Sequence, residues 1–367
     1  MLLYHKHTIA QFTAFSIYIR LDKYPENAIF HQFIIKEKKM LTVPGFVDLQ
    51  VNGYLGVDFS SPNLTEEDFI RVTRELLKTG CYGFLPTVVT ASEETYSHVL
   101  PLIARMMKKE EFAGRILGIH AEGPFLSRKP GAVGAHNPEW VKEPTIEFFR
   151  KMQDWAEGNI RILTLAAEVP GAVELTRYAA ENGVIVSLGH HLAEAADLQK
   201  CADAGAKWLT HLGNGMPNCV GRHENPLLAG LADDSLTAGI IADGHHLPPS
   251  LVKVMIRAKG IDHVTVVSDA AHLAGLPPGR YDNAINKIVL EENGRLHNPE
   301  KQCLVGSSAT ITGCVKVLCT IPELSGEDIV KLTLDNPLKL LGLTRNDLQD
   351  QQPLFIWDAE NRCFNRI

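Results

Sequence analysis

The chain has 367 residues, with 36 lysines and arginines against 43 aspartates and glutamates, so its formal net charge is −7. This acidic balance argues against an electrostatic nucleic-acid binder, which normally carries a basic balance or a basic stripe. Hydrophobic residues make up 45% of the chain, which is typical of a globular protein with a sizeable core. No apolar run approaches the ~20 residues that span a bilayer, and the first residues do not resemble a secretory signal. We therefore expect a cytoplasmic protein without nucleic-acid or membrane partners.

Cysteine and histidine usage adds two further indications. The seven cysteines include no CxxC pair, which favours unpaired thiols in a reducing compartment over a disulfide framework. The chain also contains 15 histidines, and their positions relative to the predicted strands decide which of them indicate chemistry.

Short apolar segments alternate with helical patterns along most of the chain. The apolar segments are continuous and rich in β-branched residues, as expected of strands that are buried on both faces of a parallel sheet. Eight strands are predicted, over 43–51, 82–88, 115–122, 161–168, 184–190, 207–211, 237–243 and 263–269. Helices are predicted between and after them, over 65–79, 92–109, 144–157, 171–182, 193–204, 227–232, 248–259 and 308–319.

Eight successive strand–helix units predict an α/β fold, a (β/α)8 TIM-type barrel over residues 43–334. The flanks, 1–42 and 335–367, are too short for an independent domain and are expected to form a small, abbreviated β-sandwich from the chain termini. A doubly wound open sheet is the alternative fold, but it does not predict so regular a count of units. In a barrel of this kind the chemistry lies at the C-terminal ends of the strands.

Polar residues of the types that bind metals or transfer protons stand at or just after the predicted strand ends. A glutamate with two histidines is a donor set that suits Zn²⁺ or Fe²⁺ and leaves positions open for water and substrate. An aspartate at the last strand end could cap the following turn, but beside a metal it is expected to act as a general base. The residues in question are Gln50, Asn52, His120, Glu122, His190, His211, Asp243, His246 and Asp269.

Sequence motifs around these positions carry a family resemblance. They are, in order, PGFVDLQVNGYLGVDF, HAEGPFL at 120–126, GAHNP at 134–138, LGHH at 188–191, THLGNGMP at 210–217, IADGHH at 241–246, VSDA at 267–270 and VGSSAT at 305–310. Together they resemble the N-acetylglucosamine-6-phosphate deacetylases of the amidohydrolase superfamily. The resemblance implies metal-dependent hydrolysis of the N-acetyl amide of N-acetylglucosamine 6-phosphate to glucosamine 6-phosphate and acetate. It also implies a homodimer.

The same resemblance assigns roles to individual residues of this chain. It implies Glu122, His190 and His211 as ligands of one divalent ion per subunit, with zinc expected and iron, cobalt or manganese as alternatives. Asp269 is implied as the catalytic base and acid. Gln50 and Asn52 replace the histidines that hold a second metal in some members, and neutral amides are poor ligands for a borderline transition metal. The implied substrate contacts are Ala135, His136, Asn214, Gly215, Arg222, His246, Leu304, Val305 and Gly306.

Phosphate recognition in the family uses the asparagine, the arginine and the last histidine of these motifs, partly across a dimer interface. His120 is expected to support the site from the strand that carries Glu122. Gly213 and Gly215 stand where an aromatic residue and an alanine are common, which predicts a larger or looser acyl pocket.

Three other functions use the same scaffold and stay open. One is deacetylation of N-acetylgalactosamine 6-phosphate. Another is hydrolysis of an N-acyl amino acid or a cyclic amide, which would keep the metal site and Asp269 but would not need Arg222 or His246. The third is a non-catalytic barrel that binds a phosphosugar.

Overall fold

The structure is a computed structural model that describes residues 40–282, 287–349, 352 and 354–367. The first 39 residues of the predicted N-terminal flank therefore lie outside the described residues. Eight parallel strands form one sheet in which each strand pairs with its neighbours in the chain. They are β1 (Phe46–Val51), β2 (Cys81–Val89), β3 (Ile119–Glu122), β4 (Ile160–Leu165), β5 (Ile185–Leu188), β6 (Trp208–Leu209), β7 (Thr237–Ile241) and β8 (Val264–Val267).

The first and last strands of this sheet meet at their C-terminal ends. Val51 and Ala270 form a parallel bridge, and the Asn52 N–H donates to the carbonyl of Ala270 at 2.8 Å. Lower in the barrel, the carboxylate of Asp48 on β1 accepts the N–H of Ser268 at 3.0 Å. These contacts join β8 to β1, so the predicted (β/α)8 barrel is confirmed and the open sheet was the wrong alternative.

Helices follow the strands as the sequence pattern predicts. The first begins after Thr65, whose hydroxyl accepts the N–H of Asp68 and so caps the helix. The barrel helices are α1 (Glu66–Lys78), α2 (Glu93–Met107), α3 (Ile146–Trp155), α4 (Ala172–Glu181), α5 (Ala195–Asp203), α6 (Pro226–Ala232), α7 (Pro249–Lys259) and α8 (Ile311–Cys319). Two short helices, α9 (Gly326–Val330) and α10 (Asn336–Leu340), flank a π-helical turn at Lys331–Asp335. Among the described residues, no helix has both the length and the apolarity that a membrane span requires.

A small antiparallel sheet between β8 and α8 is the main feature that sequence analysis missed. We call it the β8–α8 sheet; it consists of Gly279–Arg280, Val289–Leu290, Leu296–Asn298 and Cys303–Leu304. Its apolar side chains form a cluster separate from the barrel core, made of Ala271, Leu273, Ile288, Leu290 and Leu296. Strands of two or three residues leave no periodic signal, which is why the sequence pattern did not reveal them.

The two ends of the described chain meet in a third sheet. Thr42–Val43 pairs with Phe355–Asp358, which in turn pairs with Cys363–Arg366, all antiparallel. Phe355 packs against Phe46 of β1 with ring centroids 5.3 Å apart, which attaches this sheet to the barrel. The terminal strands thus form a sheet, as expected, while the exact division into a barrel of 43–334 and a flanking subdomain stays a prediction.

Candidate active site

The polar residues singled out at the strand ends converge at the C-terminal mouth of the barrel. Glu122 is the last residue of β3, and His190, His211 and Asp269 each lie two residues beyond the ends of β5, β6 and β8. These four side chains line one cavity of about 710 Å³. These distant strand ends meet around one cavity because a closed parallel barrel places all its strand termini on one rim. The roles predicted for the residues stay predictions.

Three of these residues have an unusual backbone conformation. His190, His211 and Asp269 have φ values of +51°, +32° and +52°. This left-handed region costs a non-glycine residue about 1–3 kcal/mol, and such strain clusters at functional sites. In each case the chain turns sharply just after the strand. We infer that the strained turn is maintained because it aims the side chain into the mouth.

A cluster of nitrogen and oxygen donors lies at the centre of the cavity. Glu122 Oε1 is 2.9 Å from His211 Nε2 and 3.3 Å from His190 Nε2, and the two Nε2 atoms are 3.1 Å apart. In a tetrahedral zinc site with bonds of about 2.0–2.1 Å, ligand atoms are separated by roughly 3.3 Å. The three predicted ligands therefore have the spacing of a metal site.

The orientation of the imidazole rings also favours a cation. His190 Nδ1 lies 2.8 Å from the carbonyl of Ala132, and a carbonyl can only accept, so Nδ1 carries a proton and Nε2 is the ring atom that faces the cluster. His190 Nε2 lies 3.1 Å from His211 Nε2 and 3.2 Å from His136 Nε2. Three imidazole nitrogens and a carboxylate directed at one another are better satisfied by one divalent ion than by shared protons.

The charges of Glu122 and His211 depend on each other. Burial raises the pKa of the Glu122 carboxyl, but the hydrogen bonds from His190 and His211 outweigh it and hold that pKa well below its usual range. Burial lowers the pKa of His211, yet the hydrogen bond and charge of Glu122 reverse the effect and raise it. Glu122 is thus ionised at the bottom of the mouth, which is the state a metal ligand requires.

Asp269 is held beside this cluster by two amides. Gln50 Nε2 donates to Asp269 Oδ1 at 3.0 Å and to Glu122 Oε1 at 2.9 Å, while Asn52 Nδ2 donates to Asp269 Oδ1 at 2.7 Å. The amides of β1 therefore bridge two buried carboxylates as donors. This fits the prediction that Gln50 and Asn52 do not act as ligands of a second metal.

The environment of Asp269 brings the pKa of its carboxyl closer to neutrality. Burial, followed by the charge of Glu122, raises the pKa of Asp269 to about 6, against the opposing effects of His211, His246 and the Asn52 hydrogen bond. A carboxyl with a pKa near neutrality can both accept and return a proton.

His136, predicted as a substrate contact, lies closer to the donor cluster than expected. Glu122, His136 and His190 together form a group of donors within 4.8 Å of one another that could hold a metal. Burial, followed by the charge of His190, lowers the pKa of His136 to about 3, so the ring is neutral. Its Nδ1 is buried without a partner among the described residues. The cluster therefore contains one more nitrogen donor than the sequence predicted.

His120 supports the site from below. Its Nδ1 donates to the carbonyl of Leu49 at 3.0 Å, and its Nε2 pairs with the hydroxyl of Thr164 at 2.7 Å. A chain of hydroxyls continues from Thr164 to Thr210 and on to Ser187. This buried network links the strands that carry Glu122, His190 and His211, which agrees with the supporting role predicted for His120.

His246, which also lines the cavity, is oriented by Asp243. His246 Nδ1 donates to Asp243 Oδ2 at 2.8 Å, and Asp243 Oδ1 accepts the N–H groups of His245 and His246. Burial opposes ionisation of Asp243, but these bonds outweigh it and lower the pKa of that carboxyl. With Nδ1 engaged, the ring of His246 has only Nε2 left to offer to a ligand.

Nearly all predicted substrate contacts line the cavity, with one exception. The residues on its wall are Ala135, His136, Asn214, Gly215, His246, Leu304, Val305 and Gly306. Arg222 is exposed and does not belong to the described lining of the cavity in a single chain. Arg222 is thus the one predicted substrate contact that the structure of a single chain does not bring to the cavity.

The structure explains the two unusual glycines differently from the predicted larger acyl pocket. A β-carbon on Gly213 would lie 3.2 Å from Leu247 and Met255, side chains that do not line the cavity. One on Gly215, where φ is +60°, would lie 2.9 Å from His190 Nδ1. A side chain at position 213 is therefore disfavoured by packing beneath the mouth of the barrel. A side chain at position 215 is disfavoured because it would approach His190, a predicted metal ligand, too closely.

Several lining residues were not found from the sequence. Asp58, His245, His272 and Arg295 all reach the cavity from loops or from small sheets. His245 and His272 stand beside motif residues, which was the only available signal, whereas Arg295 lies in a segment without a motif. Loop residues escape a search based on strand ends because their position depends on tertiary folding.

Comparisons with known proteins agree with this geometry. Residues 41–287 match the model of the amidohydrolase family. The chain is 31% identical over 304 residues to N-acetylglucosamine-6-phosphate deacetylase of Bacillus subtilis, covering 82% of this chain and 75% of that protein. It is 32% identical over 340 residues to the human protein of the same name, covering 88% and 81%.

A solved structure is similar over most of its length. It is a variant of N-acetyl-D-glucosamine-6-phosphate deacetylase from Mycobacterium smegmatis in complex with N-acetyl-D-glucosamine-6-phosphate. The TM-score is 0.78 at 27% identity, with 88% of this chain and 84% of that chain covered. The family match places this barrel, with carboxylate and imidazole donors at its mouth, in the class of metal-dependent barrel hydrolases. This chain belongs to the amidohydrolase family, and its predicted resemblance to the N-acetylglucosamine-6-phosphate deacetylases is confirmed.

Proposed function

We propose that this chain hydrolyses the N-acetyl amide of N-acetylglucosamine 6-phosphate, releasing acetate and glucosamine 6-phosphate. The observation that carries the proposal is the position of Asp269. Its carboxyl has a pKa raised to about 6 and lies beside the donor cluster of a barrel mouth. We take the substrate from the activity named for the relatives. The cavity of about 710 Å³ has room for a phosphorylated sugar.

We assign Glu122, His190 and His211 as the metal ligands, as the resemblance implies, and the expected ion is zinc. When bound, a divalent ion lowers the pKa of a water molecule and polarises a carbonyl. His136 is neutral and adjacent, so we assign it to stabilise the negative charge that develops on the acetyl oxygen.

Asp269 moves the proton in both halves of the reaction. Its carboxylate accepts a proton from the water as the oxygen attacks the acetyl carbonyl carbon. The same proton then passes to the sugar nitrogen as the C–N bond breaks, so that the amine leaves in neutral form. Gln50 and Asn52 hold Oδ1 during these steps. Among the described residues, none donates a hydrogen bond to Oδ2 of Asp269, so we assign the proton transfer to that oxygen.

An acetate-release assay on Asp269→Asn tests this assignment. We expect turnover to fall by about two to four orders of magnitude, the usual contribution of a general base, while zinc content measured by atomic absorption stays at the wild-type level. Chelation of the wild-type metal should abolish turnover and added zinc should restore it. Unchanged turnover in Asp269→Asn would refute the assignment.

The substrate class is tested with a panel of N-acetyl sugars. The panel contains N-acetylglucosamine 6-phosphate, N-acetylgalactosamine 6-phosphate and the unphosphorylated form of each. Comparing the two phosphosugars shows which epimer is preferred, and comparing each with its unphosphorylated form shows whether hydrolysis depends on the phosphate. Acetate release from N-acyl amino acids alone would instead support the broader hydrolase alternative. Binding without acetate release from any of these compounds would support the non-catalytic barrel.

We also propose a homodimer in the cytoplasm. All seven cysteines lie within the described residues and none forms a disulfide, which supports a reducing compartment. The resemblance implies that Arg222 reaches the substrate across a dimer interface, and its exposed position outside the cavity lining of its own chain supports this. Sedimentation equilibrium measures the oligomeric state directly.

A further inference from the structure

Arg295 differs from every other residue that lines the cavity. Among the described lining residues it is the only lysine or arginine, while Asp58, Glu122 and Asp269 contribute carboxylates. The resemblance implies that Arg222 binds the substrate phosphate, but Arg222 does not line the cavity of its own chain. A dianionic phosphate that enters this cavity therefore meets one guanidinium supplied in cis.

The turn that carries Arg295 is anchored to the barrel. It is a tight hairpin turn in the β8–α8 sheet, closed by a bond from the N–H of Gly294 to the carbonyl of Glu291 at 2.9 Å. His245 Nε2 donates to the carbonyl of Asn293 at 3.0 Å, and the Ser308 hydroxyl donates to the carbonyl of Gly294 at 2.6 Å. The turn is thus fixed between the loop after β7 and the segment before α8.

This anchorage places the turn that carries Arg295 against the loop that carries His246. His245, which holds the turn, is the immediate neighbour of His246, and Asp243 accepts the N–H groups of both histidines. His246 is one of the residues predicted to hold the sugar phosphate. The same loop therefore orients the imidazole and positions the turn that bears the guanidinium.

The guanidinium of Arg295 is only loosely engaged within the described chain. Its ion pair with Glu291 spans 3.6 Å, longer than a hydrogen bond, and both side chains are more than a third exposed. An exposed pair of this kind contributes little, so exchanging it for a phosphate costs little. A guanidinium presents a planar fork of donors that matches phosphate oxygens.

We propose that Arg295 binds the phosphate group of the substrate from within the same chain, together with His246. The inference rests on the proposed function and deepens it by naming a residue that decides preference for phosphorylated sugars. Arg295 acts here as a binding residue and takes no part in bond breaking. A contribution of Arg222 from a partner chain is compatible with it, because a phosphate has three oxygens to satisfy.

The test compares Arg295→Gln, Arg295→Lys and the control Arg280→Gln. Arg280 lies on the same β8–α8 sheet, is exposed, and does not belong to the described lining of the cavity. For each protein, kcat/KM is measured for N-acetylglucosamine 6-phosphate and for N-acetylglucosamine by acetate release. The ratio of the two kcat/KM values reports phosphate recognition alone. A loss of folded protein or of bound metal lowers both values equally and leaves the ratio unchanged.

We expect this ratio to fall by about 10- to 100-fold in Arg295→Gln, the scale of a lost charge-assisted contact. We expect a smaller fall in Arg295→Lys, which keeps the charge but loses the fork, and the wild-type ratio in Arg280→Gln. An Arg295→Gln ratio equal to that of the control would overturn the proposal.

If the wild-type protein releases acetate from neither sugar, the proposed function fails and the role of Arg295 is still measurable. Calorimetry with glucosamine 6-phosphate and glucosamine then replaces the kinetic ratio. Weaker binding of the phosphorylated compound alone by Arg295→Gln supports the role of Arg295. Equal binding by Arg295→Gln and the control refutes it.

Discussion

Asp48 gives a quantitative prediction that links barrel closure to the dependence of stability on pH. Its side chain is fully buried on β1, two residues before Gln50. Oδ1 accepts the N–H groups of Ser268 and Gln50, while Oδ2 has no partner among the described residues. Burial raises the pKa of Asp48 from 3.8 to about 7, despite these hydrogen bonds. The perturbation is Asp48→Asn, which keeps an oxygen for both donors and removes the titration.

The magnitude and sign follow from proton linkage. The unfolded chain releases the proton of Asp48 near pH 4, whereas the folded chain keeps it up to about pH 7. Between these values the folded state binds more protons, so the contribution of Asp48 to the free energy of unfolding falls as pH rises. The full loss is about 4 kcal/mol, since one pKa unit corresponds to about 1.4 kcal/mol. About 2–3 kcal/mol of it falls between pH 5 and 8.

Urea denaturation of both proteins at several pH values, followed by tryptophan fluorescence, measures this effect. The free energy of unfolding of Asp48→Asn minus that of the wild type should rise by about 2–3 kcal/mol from pH 5 to 8. Other titrating groups contribute equally to both proteins. As a control, Asp347→Asn removes an exposed carboxyl whose pKa is lowered by hydrogen bonds from Thr344, and should show no such rise. A constant difference between Asp48→Asn and the wild type across this range would show that Asp48 is already ionised in the folded protein, and would contradict the prediction.

Two further predictions concern the residues that orient the candidate catalytic and phosphate-binding groups. Asn52→Leu removes a hydrogen bond that lowers the pKa of Asp269, so the acidic limb of the pH profile of kcat/KM should move up by about one pH unit. An acidic limb at the wild-type pH would show that Asn52 does not influence the pKa of the catalytic base. Asp243→Asn removes the acceptor that keeps the proton on His246 Nδ1. It should raise KM for the phosphosugar several-fold with metal content unchanged, and an effect on metal content alone would contradict this role.

Much of the fold was predictable because the signals are local. Each barrel strand is a continuous apolar run and each following helix has its own periodicity, so the eight units could be counted without knowing how they pack. The strand-end rule then singled out Glu122, His190, His211 and Asp269, since closure of a parallel barrel makes every such end a neighbour. The β8–α8 sheet escaped because its pairs of residues have no period of their own.

Local sequence patterns were enough to predict the barrel, the donor types at its mouth and the family that they resemble. Long-range packing was needed to reveal that Gln50 bridges Glu122 and Asp269, that His136 joins the donor cluster, and that Arg295 rather than Arg222 lines the cavity of one chain. The type of donor atom is fixed by the residue itself, whereas the distances, burial and electrostatic environment of that atom are fixed by the residues packed around it. Those neighbours come from parts of the chain that no local pattern connects.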